Sequence, residues 1–497
     1  MQNTNIVNLL KTFSKKELNE FEAYIKSPIQ IRKRDVTSYL KAIKKFYPEF
    51  SSPQFKDEKI YQSIFPGKKF DKARYTLAAY HLFDAACDFL IVLNSRENEI
   101  EGSFSLMEQF LKRGMTNSFE KLAKKLDKEL IPEKLSLDSY FYLRFKYEDL
   151  LMKYHSENHN YDSIKKYYDN KTNSSAGLFL LKSLRAMMNN YIFEKSYNSE
   201  ENILLFEKVV NATDLDSIFS RNDNEPYLKI LMTDYYLYKA IYDDGKEDRA
   251  EKAEEYFFKN MDLYSREEKV IIFRELFNLY IKKSRETSDP EKLKFYDQKH
   301  FDLTKKLVEN DLSYSRKDKY MRFVLFRNIV LTALDVKEFN WAEKFINEHS
   351  DKLKPSLKNS MMNFSLAELE FRKGNFEKSL EYLSQVKYDS FIFKRDVKLL
   401  LLNLYYELEF TEQAYFALDN TRRYLKTTSD ITEEEKIMDY NFLNFYKKLL
   451  KQREIPDEAE IQVCINEIKK IRNEIETPDW LIEKFEKLLT GDIKTVD

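Results

Sequence analysis

Leu366-Ala-Glu-Leu-Glu-Phe-Arg-Lys-Gly374-Asn375-Phe376-Glu-Lys-Ser379-Leu380-Glu-Tyr-Leu383 is the stretch that decides how this chain folds. A helical run carrying a small residue, Ala367, breaks at Lys373-Gly374-Asn375. It resumes with Phe376, Ser379, Leu380 and Leu383 at helical spacing. The small residues have a physical reason: two helices of one hairpin cross closely there, and a large side chain would push them apart. Neighbouring segments echo the pattern. Phe339-x-x-Ala342-x-x-x-Ile346, with Pro355 after it, sets its small residue 37 positions before Ser379, and Ala414-x-x-x-Leu418 sets one 35 positions after. A looser echo joins Gly245 with Ala250, Ala253 and Phe257.

A helix, a Gly-x-aromatic turn and a second helix, with small residues at the crossing, resemble the tetratricopeptide (TPR) unit. The likeness is closest over residues 320–425. The family's tryptophan and second glycine are missing, and the spacing varies around the family's period of about 34 residues. The resemblance implies an α-solenoid of antiparallel helix pairs, on the order of ten over residues 103–497, with a concave face lined by first-helix residues. Around 320–410 those positions are Arg327, Phe364, Glu368, Asn403 and Tyr406, where a protein or peptide partner is expected.

Composition points to the same fold class. Seven glycines in 497 residues lie far below the usual roughly 7%. The nearest two are Gly102 and Gly114, so no Gly-x-Gly or Walker-type phosphate loop can be written. A large β-sandwich or barrel is equally disfavoured, because tight hairpins draw on glycine for positive φ. The chain reads as all-α. Basic and acidic residues nearly cancel, 83 against 84, so no general attraction to nucleic acid or acidic lipid is expected. High Lys, Asn, Tyr and Phe usage fits an AT-rich bacterial genome.

The opening MQNTNIVNLLKTFSKKEL lacks the features of a secretory signal, and apolar stretches such as Val397–Leu408 are interrupted by Lys398, Asn403 and Glu407. Cys87 and Cys464 stand far apart and read as buried free thiols. A cytoplasmic protein without membrane contact is expected.

Prolines 28, 48, 53 and 66 crowd the first hundred residues, which predicts shorter helices there. An N-terminal helical module is assigned to residues 1–98 and the repeat array to 103–497, with the break at Asn94-Ser-Arg-Glu-Asn98. Ser14-Lys-Lys-Glu17 is a capping box opening a helix with Leu18, Phe21 and Ile25 on one face. Helices follow near 33–46, 57–65 and 71–93. The last carries two apolar stripes, Tyr80/Phe83/Cys87/Leu90 and Ala78/Leu82/Ala85/Phe89/Val92, and is expected to be surrounded by others. Further turns are predicted at 222–224, 243–245, 288–290, 373–375 and 427–430. Thr477-Pro478 reads as an N-cap with proline at the first helical position, and Gly491 as the stop of that helix.

No constellation for catalysis stands out, and neither cofactor nor metal is called for. His155 and His159 lie four apart, but Ser156 stands where a metalloprotease helix carries Glu, and the surrounding asparagines read as a loop. His81, Asp84 and Asp88 form one polar stripe, read as a solvated edge. Glu433–Glu435 suit a helix N-terminus through its dipole. The leading expectation is a non-enzymatic scaffold or adaptor.

The alternative is a regulator. Ile60-Tyr-Gln-Ser-Ile-Phe-Pro-Gly67, then Lys68, Lys69, Lys72 and Arg74, faintly resemble a helix–turn–helix. Residues 1–100 hold 17 basic and 12 acidic residues. Against nucleic acid stand Asp84 and Asp88 on the exposed stripe of the candidate recognition helix.

Overall fold

The computed structural model describes residues 4–27, 35–197, 205–220, 226–242, 249–287, 289–314, 320–387, 391–428 and 431–490. Pro28, the turns at 222–224 and 243–245, Ser288, residues 429–430 and Gly491 lie outside them. Among the described residues the chain is all-α, with twenty-four α-helices, and one isolated bridge pairs Met321 with Leu353. Two compact units divide it: residues 1–131 with 142–172, and residues 132–141 with 173–497.

The first unit contains α1 (Asn5–Thr12), α2 (Lys15–Lys26), α3 (Asp35–Lys44), α4 (Asp57–Ile64), α5 (Lys72–Glu97), α6 (Glu99–Lys112) and α7 (Thr116–Asp127). Parts of α8 (Leu137–Glu157) and α9 (Tyr161–Tyr197) complete it. The Ser14 capping box forms: Glu17 N–H donates to Ser14 Oγ at 3.1 Å and Ser14 N–H donates to the Glu17 carboxylate at 2.6 Å. One hydrophobic core runs from Ile6 to Phe89, with α5 packed on α1, α2 and α3.

Of the two α5 stripes, Ala78, Leu82 and Phe89 of one are buried, and Phe83 and Leu90 of the other pack against the same core while its Tyr80 is 61% exposed. By length and mean hydropathy α5 is also apolar enough to cross a membrane, unlike the interrupted Val397–Leu408 stretch. The break at 94–98 shrinks to one residue, Asn98, whose side chain caps α6 by accepting from Glu101 N–H. The compact unit continues past residue 98 accordingly.

The second unit continues through α10 (Leu205–Asn211), α11 (Leu215–Ser220), α12 (Pro226–Tyr242), α13 (Arg249–Lys259), α14 (Arg266–Glu286) and α15 (Pro290–Glu309). Then come α16 (Phe323–Asp335), α17 (Phe339–His349), α18 (Pro355–Arg372), α19 (Phe376–Ser384), α20 (Phe391–Glu407) and α21 (Thr411–Thr427). Last are α22 (Glu433–Glu454), α23 (Glu458–Lys470) and α24 (Pro478–Thr490). The main packings in this unit join helices one or two apart along the chain, such as α18 with α19 and α16 with α18.

Three of its turns share one construction. Lys337, Gly374 and Glu409 all sit at positive φ (63°, 84° and 62°), and each is followed by the N-cap residue of the next helix. Behind each, the following N–H bonds back five residues: Glu338 to Ala333, Asn375 to Glu370 and Phe410 to Tyr405, each at 2.9 Å. These are Schellman ends, which satisfy carbonyls that a helix terminus otherwise leaves without partners. The small residues at the crossings, Ala342, Ser379 and Ala414, are fully buried. Ser379 adds a tie, its hydroxyl donating to Ala367 O at 2.6 Å.

Candidate functional site

Superimposing the three turns in sequence also aligns the helices before them. With spacings of 37 and 35, Leu331, Glu368 and Asn403 occupy one position, and Asp335, Arg372 and Glu407 the position four residues on. All six line one groove of ≈ 930 Å³. Residues four apart share a helix face, so α16, α18 and α20 each present the same face to it. The fourth wall is α24 with the segment before it, through Thr477, Trp480 and Lys484.

Most charges here are already committed. Arg327 pairs with Asp396, which is 6% exposed, and Arg372 reaches Asp335 at 3.1 Å. Arg395 holds Asp439 at 2.7 Å and Glu476 at 3.0 Å. Burial nevertheless pushes the Asp439 carboxyl up to about 6 against the pull of Arg395. Glu407 accepts from both Lys484 (2.6 Å) and the Trp480 indole N–H (2.8 Å), and so pins α24 to α20. The Trp480 ring packs on Tyr406, Phe442 and Tyr446.

Glu368 and Asn403 are not committed. Glu368 makes no hydrogen bond, and no ion pair within 4 Å, among the described residues. Although it is half-buried, the protein surrounding the groove strips water from its carboxyl and pushes it up to about 7, with Arg372 pulling the other way. Asn403 is 5% exposed, and its Oδ1 has no hydrogen-bond partner. The expected Thr477 cap is a correction: its φ is +44°, outside the extended region an N-cap adopts, and its buried Oγ1 has no partner.

Of the five residues named from sequence for a peptide groove, Arg327, Glu368 and Asn403 line this cavity. Phe364 and Tyr406 are core instead, 1% and 2% exposed. Tyr406 is one residue short of the groove position Glu407. Its equivalents Leu334 and Phe371 are buried too, although Phe371 also reaches the groove wall. The sequence reading did not single out Glu407, Trp480 or Lys484. Tryptophan next to Thr477-Pro478 was the available signal, but nothing local says where α24 lies.

Elsewhere, the histidines stay apart. His155 stacks on Tyr167 in the last turn of α8, and His159 sits at φ 55° in the turn after it. His300 is held down to about 4 by burial and meets the edge of Phe277. Among the described residues no group of three or more His, Cys, Asp and Glu is placed to hold a metal ion. Cys87 and Cys464 are free thiols, the first half-buried and the second buried.

Lys68, Lys69, Lys72 and Arg74 are all exposed, with the Arg74 guanidinium 4.6 Å from the centre of the Phe65 ring. Residues 65–71 separate α4 from α5, a longer link than the roughly 3–4-residue turn of a helix–turn–helix. No protein-family model, curated protein or solved structure compared with the chain matches it.

Proposed function

We propose that this chain is a non-enzymatic scaffold or adaptor of the cytoplasm, built as an α-solenoid of TPR-like antiparallel helix pairs, and that it holds a segment of a partner protein in the α16/α18/α20 groove. One observation carries the reading: equivalent positions of three successive first helices line a single cavity, as a stacked repeat array requires. Its volume falls in the range of ligand sites, and its wall mixes Leu331, Phe376 and Trp480 with charged and amide groups.

The test is affinity capture of the full chain from its own cells, with nuclease present, beside a Leu331→Trp variant. Leu331 is a half-buried wall residue, so the larger ring fills the groove without opening the core. Stoichiometric proteins captured by the natural chain and lost by the variant, with unchanged circular dichroism, support groove binding. Equal capture by both sinks it. Partners that vanish on nuclease treatment turn attention to Lys68–Arg74 and the regulator reading.

A further inference from the structure

Glu368 and Asn403 stand at equivalent positions of α18 and α20 and both line one cavity; among the described residues the Glu368 carboxyl has no partner, and Asn403 Oδ1, itself shielded from solvent, has none either. Each is an anomaly by itself. A buried amide oxygen without a donor costs free energy that folding normally avoids. A carboxylate inside a protein wall normally finds a cation. The fixed charges that act on Glu368 are Arg372 on its own helix, Arg327 and Asp335 from α16, and Asp396 from α20. Those two guanidiniums and two carboxylates cancel in pairs, so the floor of the groove lacks one positive charge whenever Glu368 is ionised.

Resting on the groove-binding reading above, we propose that this floor seats a cationic N–H donor, the guanidinium or ammonium group of an arginine or lysine side chain on a partner peptide. Such a group donates to Glu368 and supplies the missing charge. A cavity of ≈ 930 Å³ exceeds one side chain and accommodates the residues flanking it. Lys337, Lys373 and Lys487 line the same cavity. Together with Lys484 they are matched by Glu407, Glu476, Asp479 and Glu483 on the same lining, so Glu368 remains the charge left without a counterpart.

The experiment is saturation-transfer NMR on the full chain with N-acetyl-arginine N-methylamide. The lysine compound serves as the ammonium arm and the citrulline compound as the neutral isostere. Arginine or lysine is expected to bind at least about tenfold more tightly than citrulline at pH 8. Because Glu368 titrates at about 7, the cation meets an ionised carboxyl in roughly nine molecules of ten at pH 8. At pH 6 it does so in about one of ten, so affinity falls about tenfold. Glu368→Gln removes both the preference and the pH dependence, which separates Glu368 from Asp335 and Asp396. That variant deletes a desolvated carboxyl and folds at least as well as the natural chain, which thermal melting verifies.

Citrulline binding as tightly as arginine, or affinity untouched by Glu368→Gln, overturns the proposal. If that happens while Leu331→Trp still releases the captured partner, the groove binds a segment of other chemistry. If Leu331→Trp changes nothing either, the groove reading falls with it.

Discussion

Replacing Arg185 by Met should destabilise the chain by about 3–5 kcal/mol at pH 8, and by clearly less at pH 5.5. Arg185 of α9 donates Nε–H to Asp234 of α12 at 2.6 Å and pairs through Nη2 with Glu268 of α14. The two carboxylates are 1% and 0% exposed. Methionine fills much of the same space, so the loss is electrostatic: two buried anions keep no counter-charge. Breaking such a pair from one side costs about 3–5 kcal/mol.

The pH dependence follows from Glu268. Burial already raises its carboxyl above the ordinary 4.5, and Arg185 is the main influence lowering it. A carboxyl raised on folding loses stability as pH climbs through its folded value. Removing the guanidinium raises that value further, so the cost grows with pH. Urea unfolding followed by circular dichroism at the two pH values measures both effects. Glu268→Gln in the Arg185→Met background should restore part of the loss. A cost below about 1 kcal/mol, or the same cost at both pH values, would refute the reasoning.

Gly177 of α9 lies against Phe141 of α8, where an added Cβ would fall 2.2 Å from the ring. Gly177→Ala should gain about 1 kcal/mol of helix propensity and lose more to overpacking. Its melting temperature should drop, and Phe141→Leu should recover part of the drop. At the matching turns, Gly374→Ala forces a Cβ onto a φ of +84° and should cost about 1 kcal/mol. Lys337→Gly relieves the same conformation and should stabilise by up to about 1 kcal/mol. Thermal melts that moved in the same direction for these last two would contradict the shared turn construction.

Local chemistry was legible in the sequence because it acts over a few residues. The Ser14 box and the Gly374-Asn375-Phe376 turn bind neighbours at most five positions away, and each took the form its residues dictate. The spacings of 37 and 35 between Ala342, Ser379 and Ala414 were visible for the same reason. Thr477 failed as a cap because its backbone is set by contacts beyond its own turn, Arg395 to Glu476 among them.

Ser265-x-x-Glu268 shows the limit from the other side. Its spacing reads as a capping box, and Glu268 N–H does donate to Ser265 Oγ at 3.1 Å. The Glu268 carboxylate instead accepts from Leu137 N–H, 131 residues away, at 2.9 Å, and meets Arg185. Sequence determined that this chain is helical, where several helices turn and which side chains are small at the crossings. Tertiary structure decided which helix face became a groove, why Tyr406 is core while Glu407 beside it is not, and that Glu368 has no partner among the described residues. A helix face is named by its neighbours, and a charge is satisfied by whatever packs against it. Those partners come from segments tens of residues apart, whose approach no local pattern encodes.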